Sequence, residues 1–263
     1  MDEVEPAATN TSQQSVVIAI DGPSGSGKSS TAKEVAARLG ALYVDTGAMY
    51  RAVAWWVLNQ GIDTGNAQEI SAALRQLSAD TKAGGPVELS TDPSVVAVRI
   101  AGNDVTLAIR EPSVGAAVSA VSSVAEVREI LVAQQRACVN AAQAAGQGVV
   151  MEGRDIGTVV LPDADVKIFL IADVDARARR RSDEDAMRGT AVSGDTTTSV
   201  AATRDHLEHR DRVDSSRDTS PLRPAGDAVT IDSTQLTLME VVERVITLVD
   251  ASMGSNSDLP ERG

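Results

Sequence analysis

The chain has 263 residues, 43% of them hydrophobic, with 24 Lys and Arg against 37 Asp and Glu for a net charge of −13. That length suits one large domain with a substantial core, and the acidic balance argues against a nucleic-acid partner, which would need a basic field. A single cysteine, Cys138, leaves no intramolecular disulfide; the start MDEVEPAATNTSQQS lacks the basic and apolar regions of a secretory signal, and no apolar run approaches the roughly 20 residues of a membrane span, so a cytoplasmic chain with no membrane partner is expected.

Residues 1–14 show no apolar periodicity and are expected to form a disordered extension. The first strand is VVIAID (16–21), and a glycine-rich turn follows it. Ala32, Val35, Ala36 and Leu39 then repeat at helical spacing, which predicts an amphipathic helix. A second apolar run, ALYVD (41–45), reads as a strand. In 84–112, VVAVRI and VTLAIR alternate with period two around AGND, which predicts a β-hairpin. Two more apolar runs, VVMEG (149–153) and VKIFLI (166–171), precede an arginine cluster, RARRR (177–181). Residues 182–205 are polar and flanked by arginines; they read as a mobile lid or as a plain surface loop. His206 and His209 have no third partner for a metal and are expected at the surface. AVTID (228–232) is the fifth strand. The last helix carries Leu238, Val241, Val242, Val245, Leu248 and Val249, with Thr237 and Glu240 spaced for a capping box. From 251 or 252 to 263 a disordered tail is expected. Near-continuous apolar strands alternating with helices predict an α/β fold built on a five-stranded parallel sheet. The organisation expected is a single domain over 15–250.

The turn Gly22-Pro23-Ser24-Gly25-Ser26-Gly27-Lys28-Ser29 fits G-x-x-x-x-G-K-[ST] in full. Glycines let successive backbone N–H groups turn toward an anion, and the following helix adds the partial positive charge of its N-terminus. Lys28 is placed to reach the β- and γ-phosphates, and the Ser29 hydroxyl to ligate Mg²⁺. This predicts a three-layer nucleoside-triphosphate-binding fold. A phosphate loop alone does not choose among a kinase, a GTPase switch and a motor. The guanine-reading N-K-x-D motif is absent.

Four further stretches bear on that choice: DTGAMYRAVA (45–54), SAVSSVAEVR (119–128), EGRDIGTVVLPDADVKIFL (152–170) and HRDRVDSSRDTSPLRPAGDAVTIDST (209–234). With the phosphate loop, their order and spacing resemble bacterial-type cytidylate kinases over roughly residues 15–250. The resemblance implies phosphoryl transfer from ATP to CMP or dCMP, with Mg²⁺ accompanying ATP, by a monomer. It implies a monophosphate-binding insert at about 46–120, β-rich in part, and a lid at about 180–215.

Position by position, it implies that Ser119, Arg128 and Asp155 read cytosine. Arg210 and Asp214 would hold the sugar, and Arg51, Arg154 and Arg217 the monophosphate, with Thr46 and Tyr50 lining the same pocket. Gly22 to Ser30, with Arg177, Arg180 and Arg181, would bind ATP. Lys28, Arg154, Arg180 and Arg217 would act in catalysis. Arg179 reads as a solvated helix residue. Cytosine presents an amino donor beside two acceptors, so a carboxylate on one edge and a guanidinium on the other suit it. A UMP or other small-acceptor kinase, or a nucleotide-dependent regulatory protein, are the alternatives that these residues leave.

Overall fold

The computed structural model describes residues 15–81, 85–187, 196–216 and 220–256. The expected disordered extension lies outside the described residues. Five parallel strands form the central sheet: β1 (Val17–Asp21), β2 (Leu42–Asp45), β6 (Val149–Gly153), β7 (Val166–Ile171) and β8 (Val229–Asp232). Their order is β2-β6-β1-β7-β8, with β1 in the middle. All five expected strands are present, each within a residue of its predicted start.

Alternation along β1 sends its side chains to two cores. Ile18 and Ile20 pack with Val35 and Ala36 of α1 (Lys28–Leu39) and with Val242, Val245 and Val249 of α8 (Leu238–Asn256). Val17 and Ala19 face the other side, against Met151, Val139 and Ala142. The last two belong to α5 (Ala125–Ala144). The capping box of α8 forms: the Thr237 amide donates to Glu240 Oε2 at 2.8 Å, and the Glu240 amide donates to Thr237 Oγ1 at 3.3 Å. This helix continues to Asn256, past the expected start of the tail, while 257–263 lie outside the described residues.

A third core lies beside the sheet. It gathers α2 (Thr46–Asn59), α3 (Ala67–Asp80), α4 (Pro112–Ser123) and the first half of α5 around Val57, Ile70, Leu74, Val121 and Leu131. The α5 helix therefore belongs to two cores at once. Its 20 residues span about 30 Å.

A three-stranded antiparallel sheet, β3 (Val87–Leu89), β4 (Val98–Ile100) and β5 (Asn103–Asp104), covers part of this third core. The expected hairpin is therefore present, but its second strand is shorter than predicted and lies earlier. Ile100 pairs with Asn103 across a two-residue turn. Ala101 and Gly102 both have positive φ, 49° and 77°, as a type I′ turn requires. VTLAIR, expected as the return strand, instead leaves the ladder after Val105 and closes a 3₁₀ turn at Ala108–Arg110. Val105 and Ile109 are buried while Leu107 is 82% exposed, a helical rather than an alternating pattern.

The region 182–205 also differs from the loop that its polarity suggests. The α6 helix (Val174–Met187) enters it from one side and α7 (Thr196–Ser215) from the other, with residues 188–195 outside the described set. Helix-forming alanines, a 3.1 Å Arg204–Glu208 pair at i,i+4 and the buried Leu207 explain α7 better than composition does.

Ala101 stands in the left-handed region without the side-chain chemistry that favours it. Ala101→Asn, which creates the Asn-Gly pair preferred in such turns, is expected to stabilise the protein by about 1 kcal/mol. Denaturant midpoints check this, and an unchanged or lower midpoint contradicts it.

Candidate active site

The C-terminal ends of parallel strands all open on one edge of a sheet, where such folds bind ligands. Here that edge holds the phosphate loop between β1 and α1. Gly22 is fixed by close approach, because a Cβ there would sit 2.1 Å from the Leu170 carbonyl oxygen of β7. Gly27 takes φ 92° and precedes α1 with no side-chain cap, so the first amides of α1 carry no side-chain acceptor from the cap position. Lys28 is buried and donates to the Pro23 carbonyl at 2.8 Å, folding back over the loop.

Loop and strand ends meet in one cleft. It is lined by Ser24, Gly25, Gly27, Lys28, Ser29 and Ser30 on one side, and by Thr46, Tyr50, Arg51, Arg128, Arg154, Asp155, Arg181 and Asp214 on the other. Gly22, Pro23 and Ser26 sit behind this lining as the loop's frame. Ser119 is half-buried on α4 and off the wall; Val118 and Ser122, its neighbours on the helix, line the cleft. The Arg210 side chain and all of Arg217 lie outside the described residues.

Arg128 and Asp155, the expected cytosine readers, are both buried and form an ion pair with each other. The Arg128 guanidinium also lies 5.7 Å from the Tyr50 ring centroid, within cation–π range. The Thr46 hydroxyl donates to the Glu152 carbonyl at 2.7 Å, which ties the start of α2 to the end of β6. Arg51 Nε is buried with no hydrogen-bond partner among the described residues. Burial holds its pKa below the ordinary value; nearby Asp45 opposes this, while the like charges of Arg181, Arg110 and Arg154 add to it. So many guanidiniums around one point suit an anion.

The other arginines are engaged by protein groups. Arg177 donates to the Ala172 carbonyl at 3.1 Å, to the Ser24 carbonyl at 3.1 Å, and pairs with Asp211. It is thus a buried brace for the loop rather than part of the cleft wall. Arg154 reaches the Gly22 carbonyl at 3.3 Å, Asp211 at 3.5 Å and Asp214 at 3.4 Å. Arg180 is also set back, donating to Ser233 Oγ at 3.0 Å and to the Ser233 carbonyl at 2.6 Å; Ser233 Oγ in turn donates to the Ser26 carbonyl. Arg179 and His209 are exposed, as expected. Among the described residues no cluster of His, Cys, Asp or Glu is arranged to hold a metal by itself.

Sequence reading missed three acids. Asp21, Asp45 and Glu152 each stand at or next to the C-terminal end of a parallel strand, the position from which sites in such sheets are built. The Glu152 carboxylate accepts from the Tyr43 hydroxyl at 2.7 Å. Burial and the charge of Asp45 raise its pKa, while Lys28 and the hydroxyls of Ser29 and Tyr43 lower it. Asp45 caps α2 by accepting the Ala48 amide at 2.8 Å. Asp21 is pushed up to about 6 by burial, although the Gly157 and Ile156 amides and Lys28 act against the shift. Arg110, which lines the cleft, and Asp211, which pairs with Arg154 and Arg177, were also missed.

This geometry joins a triphosphate cradle to a second, arginine-lined pocket. A family model described as "Cytidylate kinase" matches residues 18–251. The chain belongs to the cytidylate kinase family. It is 51% identical to the cytidylate kinase of Streptomyces griseus over 91% of this chain and 95% of that protein. It is 51% identical to the one from Streptomyces coelicolor, covering 89% and 93%, and 46% identical to the one from Geobacillus kaustophilus, covering 91% and 98%. Residues 18–251, matched by the family model, take in the sheet, the third core and α7, so both halves of the cleft fall within the matched region.

The Arg128–Asp155 pair is buried and ionic, so removing one partner strands the other charge. Arg128→Met is expected to destabilise the ligand-free protein by about 3–5 kcal/mol. Adding Asp155→Asn to that variant is expected to recover much of the loss. Urea unfolding of the two variants checks this, and a double variant no more stable than R128M contradicts it.

Proposed function

We propose that the chain transfers the γ-phosphoryl group of ATP to CMP or dCMP, giving ADP and CDP or dCDP. The observation that carries this reading is that Arg128 and Asp155 share one cleft with Lys28 and the phosphate loop. Asp155 would accept from the cytosine amino group and Arg128 would donate to the ring acceptors, their mutual ion pair opening to admit the base. Uracil reverses the pattern on that edge and leaves buried groups unpaired, at about 1–3 kcal/mol each.

An acceptor oxygen of CMP forms the new P–O bond as the bond between the γ-phosphorus and the β–γ bridging oxygen breaks. At neutral pH the acceptor phosphate is mostly dianionic, with a second pKa of about 6, so it needs no general base. The barrier is electrostatic, since two polyanions must approach in line. Lys28 and the loop amides hold the donor phosphates, with Arg181 assigned beside them, while Arg51 and Arg154 face the acceptor side. Arg180 and Arg217 would join them once Arg180 leaves Ser233. Asp214 and Arg210 on α7 are assigned to the sugar, and Ser119 to the base, one helical turn from the cleft-lining Ser122.

The donors grouped at Ser29 fit Mg²⁺, which prefers hard oxygen ligands and keeps several waters. The Ser29 hydroxyl would bind it, with Glu152 and Asp45 orienting its waters. Bound there with ATP, the ion would supply positive charge beside the transferring phosphates. No helix among the described residues is long and apolar enough to cross a membrane. With one half-buried cysteine and small-molecule substrates, the reading is a cytoplasmic monomer.

An ATP-coupled ADP-release assay against CMP, dCMP, UMP, AMP and GMP tests the function. Turnover with CMP and dCMP well above the rest is expected; no turnover with any acceptor refutes the kinase, and preference for UMP refutes the base assignments. Arg180→Ala is expected to lower kcat by about 10²-fold or more with the fold retained by near-UV circular dichroism, and near-normal turnover rules out its assigned role.

Below about pH 6 the acceptor becomes a monoanion, and the Asp21 carboxyl, raised to about 6, takes up its proton. Because its folded pKa lies above the ordinary value, the Asp21 contribution to stability is complete below about pH 4 and is lost as pH rises through 6. Activity is therefore expected to fall on acidification from 7 to 5 while Asp21 does not itself promote unfolding. Parallel kcat/KM and near-UV circular dichroism profiles check this.

A further inference from the structure

Asp21 is 5% exposed and lies off the cleft wall, yet both of its carboxylate oxygens serve a distant segment. One accepts the Ile156 amide at 2.8 Å, the other the Gly157 amide at 2.8 Å. Those amides open a single π-helical turn, Ile156–Val160, in which the Val160 amide reaches back to the Asp155 carbonyl and the Leu161 amide to the Ile156 carbonyl. Arg154 and Asp155 come immediately before this turn. Gly22, the first residue of the phosphate loop, comes immediately after Asp21.

The ladder between β1 and β6 ends at the Asp21–Gly153 pair. Beyond it the two chains part, one into the loop and the other into the turn. The Asp21 carboxylate extends the connection by two further hydrogen bonds across 135 residues of sequence. Among the described residues a further tie there is the longer contact from Arg154 to the Gly22 carbonyl, at 3.3 Å. Burying a carboxylate is costly, and a core-filling role alone would suit an apolar side chain. Gripping two successive amides with two oxygens fixes both the distance and the rotation of the segment it holds. Lys28 favours the ionised carboxylate and Asp155 opposes it, so both halves of the cleft bear on the same group.

We infer that Asp21 is a positioning residue that sets Arg154 and Asp155 in register with the phosphate loop, so that acceptor and donor phosphates meet in line. This rests on the reading of Arg154 and Asp155 as acceptor-binding groups. Asp21→Asn tests it, because the isosteric amide places an N–H₂ donor against a backbone N–H and keeps only one acceptor. In D21N, kcat/KM for CMP is expected to fall about 10²-fold, the scale of a misplacement near 1 Å. The dissociation constant of ATP with Mg²⁺, titrated without CMP, is expected to stay within about threefold.

Asp155→Asn is measured alongside. A raised KM for CMP in D155N with normal kinetics in D21N overturns this inference and leaves the site reading standing. A normal KM in D155N overturns both. Equal losses for ATP and CMP in a folded D21N overturn it too, since they report a general disturbance rather than lost register. Should D21N fail to fold by near-UV circular dichroism, Asp21→Glu, which keeps the charge but shifts the carboxylate by a methylene, is read in the same assays against the same expectations. Hydrogen exchange on the wild-type chain is independent of any variant. Slow exchange of the Ile156 and Gly157 amides is expected, and fast exchange overturns the contact itself.

Discussion

Buried carboxylates at the ends of neighbouring parallel strands are the constraint around which this cleft is organised. Asp45 lies opposite Glu152 in the β2–β6 register, and Asp21 lies opposite Gly153 in the next pair. Three negative charges so close to the end of a sheet repel one another and lose water, and each needs a compensating partner. Lys28, the Tyr43 hydroxyl, the first amides of α2 and the amides after Asp155 supply that compensation. The partners are the groups that define the cleft, so electrostatic compensation and site construction are the same event.

Around this acidic floor stands a basic rim, in a protein whose net charge is −13. Arginines lining the ligand-free cleft and set behind it are not idle. Asp211 holds Arg177 and Arg154, Asp214 holds Arg154, and Ser233 holds Arg180. Phosphates entering the cleft would compete for guanidiniums already engaged, so part of their attraction replaces existing contacts. Arg51 differs: its buried Nε has no hydrogen-bond partner among the described residues, and like charges surround it. An incoming anion would give that side chain a partner and relieve repulsion among the like charges around it.

The phosphate loop, the five strands and the helices beside them were legible because each rests on a local rule. Glycine and lysine spacing, apolar runs and the Thr237–Glu240 cap need no knowledge of distant partners. VTLAIR failed because alternation over six residues looks the same whether the chain continues a strand or turns away. The positive φ at Ala101 and Gly102 closes the hairpin four residues before that run was expected to pair. The plain-loop alternative for 182–205 failed where α6 and α7 enter the segment, because polarity marks exposure and exposure does not exclude a helix. In the site, Lys28 was placed by motif spacing and Arg128 and Asp155 through the family resemblance, and all three line the cleft. Arg177 was placed in the right neighbourhood, but its grip on the Ser24 carbonyl depends on a contact across 153 residues that no local pattern encodes. Asp21, Asp45 and Glu152 carried a usable signal, an acid closing an apolar strand, that was read as strand boundary alone.

The α5 helix carries Arg128 at one end, Leu131 in the third core and Val139 and Ala142 against the sheet. One rigid cylinder thereby sets the angular phase of all three. Each residue added to a helix turns everything beyond it by about 100° and advances it by 1.5 Å. A single insertion between Leu131 and Val139 would leave both cores apolar in composition yet swing Arg128 away from Asp155. The length of this helix is therefore quantised: loops around the cleft can drift by single residues, whereas α5 tolerates change only in steps close to whole turns.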